Sequence, residues 1–328
     1  MRAFQIHELN LEVRCGVHDV EAQPTSADDC LIKVDFSGVN YKDALVATAK
    51  SRVRRVARLV GGVDAAGEVL ASSDPRWPIG ARVAVHGGDL GVGRDGGFAQ
   101  YVYAPTAYLS SLPATISTRD AMIIGTAGFT AMASVLALED HGMARDGEVL
   151  VTGATGGVGS MAITLLALRG YRSVASTGSL HESQWLRERG AERVIGRDEI
   201  SDRPERLLAR ERWAGAVDCV GGDTLHQILR SLRYGSAVAA SGLVSSAELT
   251  TNVYPFITRA VSLLGIDAVE APASTRQRVW SALGEISPRI DLEALVDSEV
   301  RLENLMAALT ALSNGSTRGR ILVDPNAG

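Results

Sequence analysis

The stretch EVLVTGATGGVGSMAITLLALRGYRSVASTGS, residues 148–179, reads as a strand, a glycine turn, a helix and a second strand. Gly153, Gly156, Gly157 and Gly159 fall between the apolar run EVLVTG and the helical run SMAITLLALRG. Glycine lets a backbone turn sharply and approach a pyrophosphate, and the start of a helix adds amide donors and a favourable dipole. A glycine pattern alone says little. In this strand–turn–helix–strand context it predicts a dinucleotide site, with Gly153, Thr155, Gly156, Gly157 and Val158 as its contacts.

Working outward, short apolar runs recur between helical stretches: VLVTG, SVAST, ERVIG, GAVDCV, SAVAASG and VSLLGI. Six buried strands alternating with helices predict an α/β fold with a doubly wound, six-stranded parallel sheet, a Rossmann domain over residues 119–268. Before it, CLIKVDFSGV, RVAVHGG and FAQYVYAP are β-rich and broken by Gly and Pro, which predicts a mostly antiparallel unit. The pattern changes near residue 118, where TRDAMIIGTAGFTAMASVLALEDHG takes on helical periodicity with Thr118 as a cap before Asp120. After Ile266 the pattern gives a helix, a strand, a second helix and the strand RILVD, a tail expected to complete the first domain as 1–118 plus 269–328.

Composition narrows the function classes. The 328 residues are 46% hydrophobic and 22% charged with a net charge of −5, which does not suit a nucleic-acid binder. No apolar run reads as a bilayer span and no apolar leader opens the chain, so the expected partners exclude membrane and the expected address is the cytoplasm. Cys15, Cys30 and Cys219 are far apart and odd in number, which suits neither a disulfide framework nor a four-cysteine zinc lobe.

The choice of dinucleotide turns on the end of the second strand, where an Asp or Glu would hold the ribose hydroxyls of NAD. Ser176, Thr177, Gly178 and Ser179 stand there instead, with Arg197 at the end of the third strand as a cation for a 2′-phosphate. These residues favour NADPH. The competing readings are Glu182 bending back as the acid, or Arg197 as solvated surface charge.

The segments SGVNYKDAL (37–45), GGVDAAGEV (61–69), AMIIGTAGFTAMASVLALED (121–140), VTGATGGVGS (151–160), GAVDCVGGDTL (215–225) and TNVYPFITRAVSLLGID (251–267) resemble the medium-chain dehydrogenase/reductases. The resemblance is to their zinc-free, quinone oxidoreductase-like group, and within it to the NADPH-dependent acryloyl-CoA reductase branch. It implies a GroES-like catalytic domain beside the Rossmann domain, and a homodimer formed by pairing sheet edges. Zinc-bearing relatives place a Cys and a His–Glu pair where this chain has Ser37 and Gly61–Gly62, so no metal is expected. What remains is hydride transfer to an activated carbon–carbon double bond or to a quinone. For an enoyl thioester, hydride goes to the β-carbon, charge develops on the thioester oxygen and a proton follows to the α-carbon.

Tyr41 is the candidate for meeting that charge or delivering that proton, unless it is a packed aromatic with its hydroxyl bonded to backbone. Asn40 is the candidate for orienting substrate or nicotinamide. Lys42 and Asp43 read as a local ion pair or a helix-start device, and Asp64 as a buried acceptor. The resemblance places Thr126 against the nicotinamide; an ordinary helix threonine bonding its own turn is the alternative. Ser241, Gly242 and Leu243, at the end of the fifth strand, lie where open α/β sheets bind ligands.

Departures from the branch are visible too. Ser179 replaces a Lys or Arg, and VARLVGGVD replaces a proline-bearing entry to the glycine loop. Lys50, Arg52, Arg54, Arg55 and Arg58 form a basic cluster, read as solvated charge or as a landing site for the phosphates of a coenzyme A thioester. GGDLGVGRDGGFAQ (87–100) reads as a mobile loop. Three functions fit: an NADPH-dependent reductase of a small enoyl thioester, a quinone or enone reductase, and a non-catalytic NADPH-binding module.

Overall fold

Short runs of Val, Ala and Ile, too brief for helices and apolar on both faces, form a six-stranded sheet whose strands are all parallel. Its order across the sheet is Ala191–Ile195, Arg172–Ser176, Glu148–Thr152, Trp213–Asp218, Ala237–Ala240, Ser262–Gly265. In chain order this is 3-2-1-4-5-6, the doubly wound arrangement of dinucleotide-binding domains. Four of these strands are largely buried, and Ala191–Ile195 at one edge is buried only at its two ends. The sixth lies at the other edge and alternates half-buried with exposed positions, which corrects its reading as a core strand.

The computed structural model describes residues 1–10, 12–49, 51–200 and 206–327, in two compact units, Met1–Ala127 with Ala268–Gly328, and Gly128–Asp267. In the first, a seven-stranded sheet runs Val296–Arg301, Arg320–Asp324, Asp29–Val39, Asp64–Ala71, Arg82–His86, Leu109–Ser111, with Tyr101–Pro105 also pairing Asp29–Val39. All of its pairs are antiparallel except the one made by the two C-terminal strands. A smaller antiparallel sheet joins Glu12–Asp19, Arg2–Leu9 and Arg58–Val60. Phe4 and Phe98 meet edge to face at 6.3 Å in the core of this unit.

Three expectations need correction. The helix Thr118–Asp140 is long and apolar enough to cross a membrane, with mean hydropathy 1.9 over an 18-residue window, although 83% of that window is buried in the protein, as befits a core helix. Ser117, not Thr118, opens it: Ser117 Oγ accepts from Asp120 N–H at 3.0 Å, and the Asp120 carboxylate accepts from Ser117 N–H at 3.1 Å. The helix also breaks at Gly125, and the unit boundary falls at residue 127 instead of 118 because the segment before the break bonds into the first unit.

The glycine-dense loop 87–100 is not loose. Gly96, Gly97 and Phe98 donate N–H bonds to Val60, Gly62 and Gly61 at 2.9 Å each, and the Asp95 carboxylate accepts from Val60 N–H at 2.7 Å. A Cβ on Gly96 would stand 2.1 Å from Gly62 O, so its glycine serves close backbone approach.

Asp43 anchors the short helix Tyr41–Val46. Its carboxylate accepts from Asn40 N–H at 2.8 Å and Val63 N–H at 2.9 Å, which settles it as a helix-start device. Burial, reinforced by the Asp64 carboxylate, raises its pKa from 3.8 to about 7. The folded state therefore holds a proton that the unfolded chain releases between those values. The resulting stability is complete below about pH 4 and is lost as pH rises through about 7. Denaturant unfolding from pH 4 to 8 is expected to show wild type losing stability relative to Asp43→Asn by up to about 1.4 kcal/mol per pH unit in that window. A difference that does not change with pH would contradict this.

Candidate active site

In the parallel sheet, the crossover direction reverses between Glu148–Thr152 and Trp213–Asp218. At the carboxyl ends of these neighbours, Thr152 Oγ1 donates to Asp218 Oδ1 at 2.6 Å and accepts from Cys219 N–H at 3.1 Å. Asp218 Oδ2 accepts from Gly221 N–H at 2.9 Å. Burial raises the Asp218 carboxyl from its ordinary value, against the pull of these hydrogen bonds, and pushes the neighbouring Cys219 thiol up to about 12. Open α/β sheets bind ligands at this reversal. The predicted turn begins there, immediately after Thr152.

The geometry of that turn suits a pyrophosphate. Gly153 has φ +58°, a left-handed conformation that favours glycine, and a Cβ on Gly159 would stand 2.4 Å from Gly153 O. The helix Gly157–Leu168 starts at Gly156, and Ser160 N–H is bonded to Gly156 O at 2.9 Å. The amides of Gly157 and Val158 precede it, where a helix has no carbonyl of its own to offer. Thr155, Gly157 and Val158 are half-buried and Gly156 is exposed, so this end of the helix is accessible to a ligand. Gly242 extends the cradle: a Cβ there would lie 2.1 Å from Cys219 O. Ser241 N–H donates to Asp218 O at 2.9 Å, and Leu243 is exposed.

At the end of the second strand Ser176 and Thr177 are buried. Ser179 N–H donates to Thr177 Oγ1 at 2.9 Å, which leaves the threonine proton available to a ligand. A Cβ on Gly178 would meet Arg197 Cζ at 2.7 Å, so the guanidinium lies flat against this backbone. Arg197 is exposed and has no carboxylate partner among the described residues. The structure thus brings together Thr177, Gly178, Ser179 and Arg197, which the sequence grouped only by strand ends.

In the Met1–Ala127 unit, Tyr41 is 38% exposed and its hydroxyl makes no hydrogen bond among the described residues, unlike a packed aromatic satisfied by backbone. Its neighbour Asn40 is clamped. Asn40 Nδ2 donates to Asp64 Oδ2 at 2.9 Å and to Gly38 O at 3.2 Å, and Oδ1 accepts from Arg320 Nη1 at 3.1 Å. Both amide hydrogens are thereby engaged within the protein. Thr126 N–H donates to the same Asp64 Oδ2 at 2.9 Å. Asp64 and Arg320 are fully buried or nearly so, with Arg320 Nη2 3.8 Å from Asp64 Oδ2. Burial lowers the Arg320 pKa from its ordinary value, opposed by the Asp64 and Asp43 charges.

Sequence reasoning missed Arg320, Thr152 and Asp218. The available signal was a polar or charged residue inside an otherwise apolar strand, in RILVD, VLVT and GAVD. The basic cluster is not wholly on the surface. Arg54 is buried, ion-paired with Glu8 and bonded to Val46 O and Thr48 O. Arg52, Arg55 and Arg58 are exposed, whereas Lys50 lies outside the described residues.

Zinc does not fit the residues present. Ser37 is buried with Oγ donating to Asp64 O at 2.6 Å, Gly61 and Gly62 offer no side chain, and no group of three His, Cys, Asp or Glu stands together among the described residues.

Two family models match the chain: the alcohol dehydrogenase GroES-like domain over residues 26–114 and the zinc-binding dehydrogenase domain over 157–285. An acrylyl-CoA reductase of Ruegeria pomeroyi is 42% identical over 317 residues, 96% of each chain. YhfP of Bacillus subtilis, named a candidate quinone oxidoreductase, is 42% identical over 323 residues, 98% of each chain, and its structure with NAD bound matches with a TM-score of 0.94. The YhdH oxidoreductase of Salmonella enterica, solved with NADP, is 39% identical over 99% of each chain with a TM-score of 0.95. With the reversal-point cradle and the antiparallel unit in place, these matches establish that the chain belongs to the medium-chain dehydrogenase/reductase superfamily, among the quinone oxidoreductase-like oxidoreductases.

Proposed function

We propose that the protein is an NADPH-dependent oxidoreductase that reduces, without zinc, the carbon–carbon double bond of a small enoyl thioester of the acryloyl-CoA kind. The observation that carries this reading is Tyr41, an accessible phenol with no bond to the described protein, set beside the clamped Asn40. When bound, NADPH supplies the hydride that reduces the β-carbon. Tyr41 donates a hydrogen bond to the thioester oxygen as charge develops there, or passes its proton to the α-carbon. Asn40, its amide hydrogens held by Asp64 and Gly38 and its Oδ1 by Arg320, orients the acyl group by contact with a fixed side chain and through the second lone pair of Oδ1. The Gly157 and Val158 amides bind pyrophosphate, Thr126 holds the nicotinamide, and Thr177, Ser179 and Arg197 bind the 2′-phosphate.

The acrylyl-CoA reductase among the relatives supports the thioester; the quinone oxidoreductase name of the Bacillus relative supports a second reading, reduction of a quinone at the same cofactor residues. Initial rates of NADPH oxidation with acryloyl-CoA, crotonyl-CoA and benzoquinone separate the two. Acryloyl-CoA is expected to give the highest kcat/KM, and Tyr41→Phe to lower kcat about 100-fold while NADPH affinity holds. Turnover of benzoquinone alone would favour the second reading and defeat the first.

The preference for NADPH rests on Arg197. Arg197→Ala is expected to raise the NADPH Kd about tenfold, the order of one charge-assisted bond, and to leave the NADH Kd within about twofold. Equal losses for both cofactors would show that Arg197 does not touch the 2′-phosphate.

The edge strand Ser262–Gly265 supports a homodimer. Its outer ladder is unpaired among the described residues, and Leu263, Ile257 and Val253 nearby are exposed. Light scattering at micromolar concentration is expected to give twice the 34.6 kDa chain mass. A mass equal to one chain would rule the dimer out.

A further inference from the structure

The helix Thr118–Asp140 is interrupted at Gly125, whose φ of 52° and ψ of −165° belong to no helix. A Cβ there would stand 2.4 Å from Arg320 Nη2 and 2.8 Å from Asp64 Oδ2. Gly38, from a different element, meets the same pair: its Cβ would stand 2.6 Å from Arg320 Nη2 and 3.2 Å from Asp64 Oδ1. Two glycines in separate segments thus admit two backbones against one buried ion pair.

That pair divides the broken helix between its two charges. Arg320 donates Nε–H to Ile123 O at 3.0 Å and Nη2–H to Met122 O at 3.4 Å, at the end of the first segment, where helix carbonyls have no following amide. Asp64 Oδ2 accepts from Thr126 N–H at 2.9 Å, at the start of the second, where helix amides have no preceding carbonyl. Arg320 also donates to Val39 O and to Asn40 Oδ1, each at 3.1 Å. Asn40 Nδ2 ends on the same oxygen as Thr126 N–H. One carboxylate oxygen therefore fixes the distance between the Asn40 amide and the Thr126 backbone.

A buried ion pair is a poor way to gain stability, since apolar residues of equal volume often do as well, and here the pair imposes a backbone break as well. We infer that Asp64 and Arg320 are positioning residues, which act through Asn40 and Thr126 to align substrate and nicotinamide for hydride transfer. This inference rests on the roles proposed above for those two residues. Asp64 is needed as an ion: it accepts from Gly38 N–H, Asn40 Nδ2–H and Thr126 N–H, so an isosteric amide would set a donor against donors. Arg320 is needed as a fork, because four oxygens on two segments take its protons and an ammonium cannot reach them together.

The test compares Asp64→Asn and Arg320→Lys with wild type, well below their melting temperatures and with folding confirmed by circular dichroism. NADPH binding is followed by its nicotinamide fluorescence and turnover by acryloyl-CoA reduction. A positioning role is expected to leave the NADPH Kd within about threefold, because the phosphate-binding residues lie elsewhere in the chain. It should lower kcat by about 30-fold or more, and remove at least about half of the fluorescence enhancement that marks an immobilised ring. A folded variant with wild-type enhancement and kcat within about twofold would overturn the inference, leaving the pair a purely structural clip. If Asp64→Asn does not fold, Arg320→Lys decides, since it retains the positive charge facing both buried carboxylates. If wild type reduces no enoyl thioester, the proposed function fails, and the fluorescence comparison alone decides the positioning role.

Discussion

Asp64 and Arg320 meet where burial would make either charge alone prohibitively costly, and the Met1–Ala127 and Ala268–Gly328 portions of the chain are organised around satisfying them. The carboxylate collects three N–H donors from the strand end at Gly38, the helix start at Asn40 and the helix break at Thr126. The guanidinium collects carbonyls from Met122, Ile123 and Val39. Neither set of partners is a regular element by itself. The pair supplies the hydrogen bonds that regular structure would have supplied, and so lets the backbone depart from it beside Tyr41.

The parallel sheet meets a different constraint, the approach of one backbone to another. Gly153, Gly159 and Gly242 lie around the carboxyl ends of the two strands at the reversal, each where a Cβ would crowd a neighbour. These close approaches hold the turn against the start of the helix Gly157–Leu168, whose first amides can face an anion. Thr152 and Asp218 brace the two strand ends with a 2.6 Å hydrogen bond. In the proposed cofactor site the phosphates meet backbone amides and, among the described residues, the outlying cation Arg197.

The glycine turn was legible in the sequence because its meaning depends on neighbours within a few residues: strand, turn and helix follow one another without a gap. The six strands were legible for the same reason, as was Asp43 at a helix start. What was not legible depends on residues distant in the chain. Helical periodicity runs straight through Gly125, and the glycine is the one local mark of a break whose partners, Asp64 and Arg320, are distant in the chain. Glycine density in 87–100 looked like mobility, yet Gly96 and Gly97 serve tight packing against Gly61 and Gly62. Arg54 looked like part of a charged surface until the fold buried it against Glu8. The partners that hold the Asn40 amide include Asp64 and Arg320, 24 and 280 residues away, and no local pattern announces them.

In the proposed reduction without a metal, the developing charge is left to a hydroxyl, the part assigned there to Tyr41. The most direct measurement is the fate of deuterium carried at C4 of the NADPH nicotinamide during reduction of acryloyl-CoA in ordinary water, with the two C4 epimers tested separately and the product read by NMR. Deuterium is expected on the β-carbon of the saturated thioester from one epimer, with a solvent proton on the α-carbon. A saturated product with no deuterium at the β-carbon from either epimer would contradict the proposed hydride transfer.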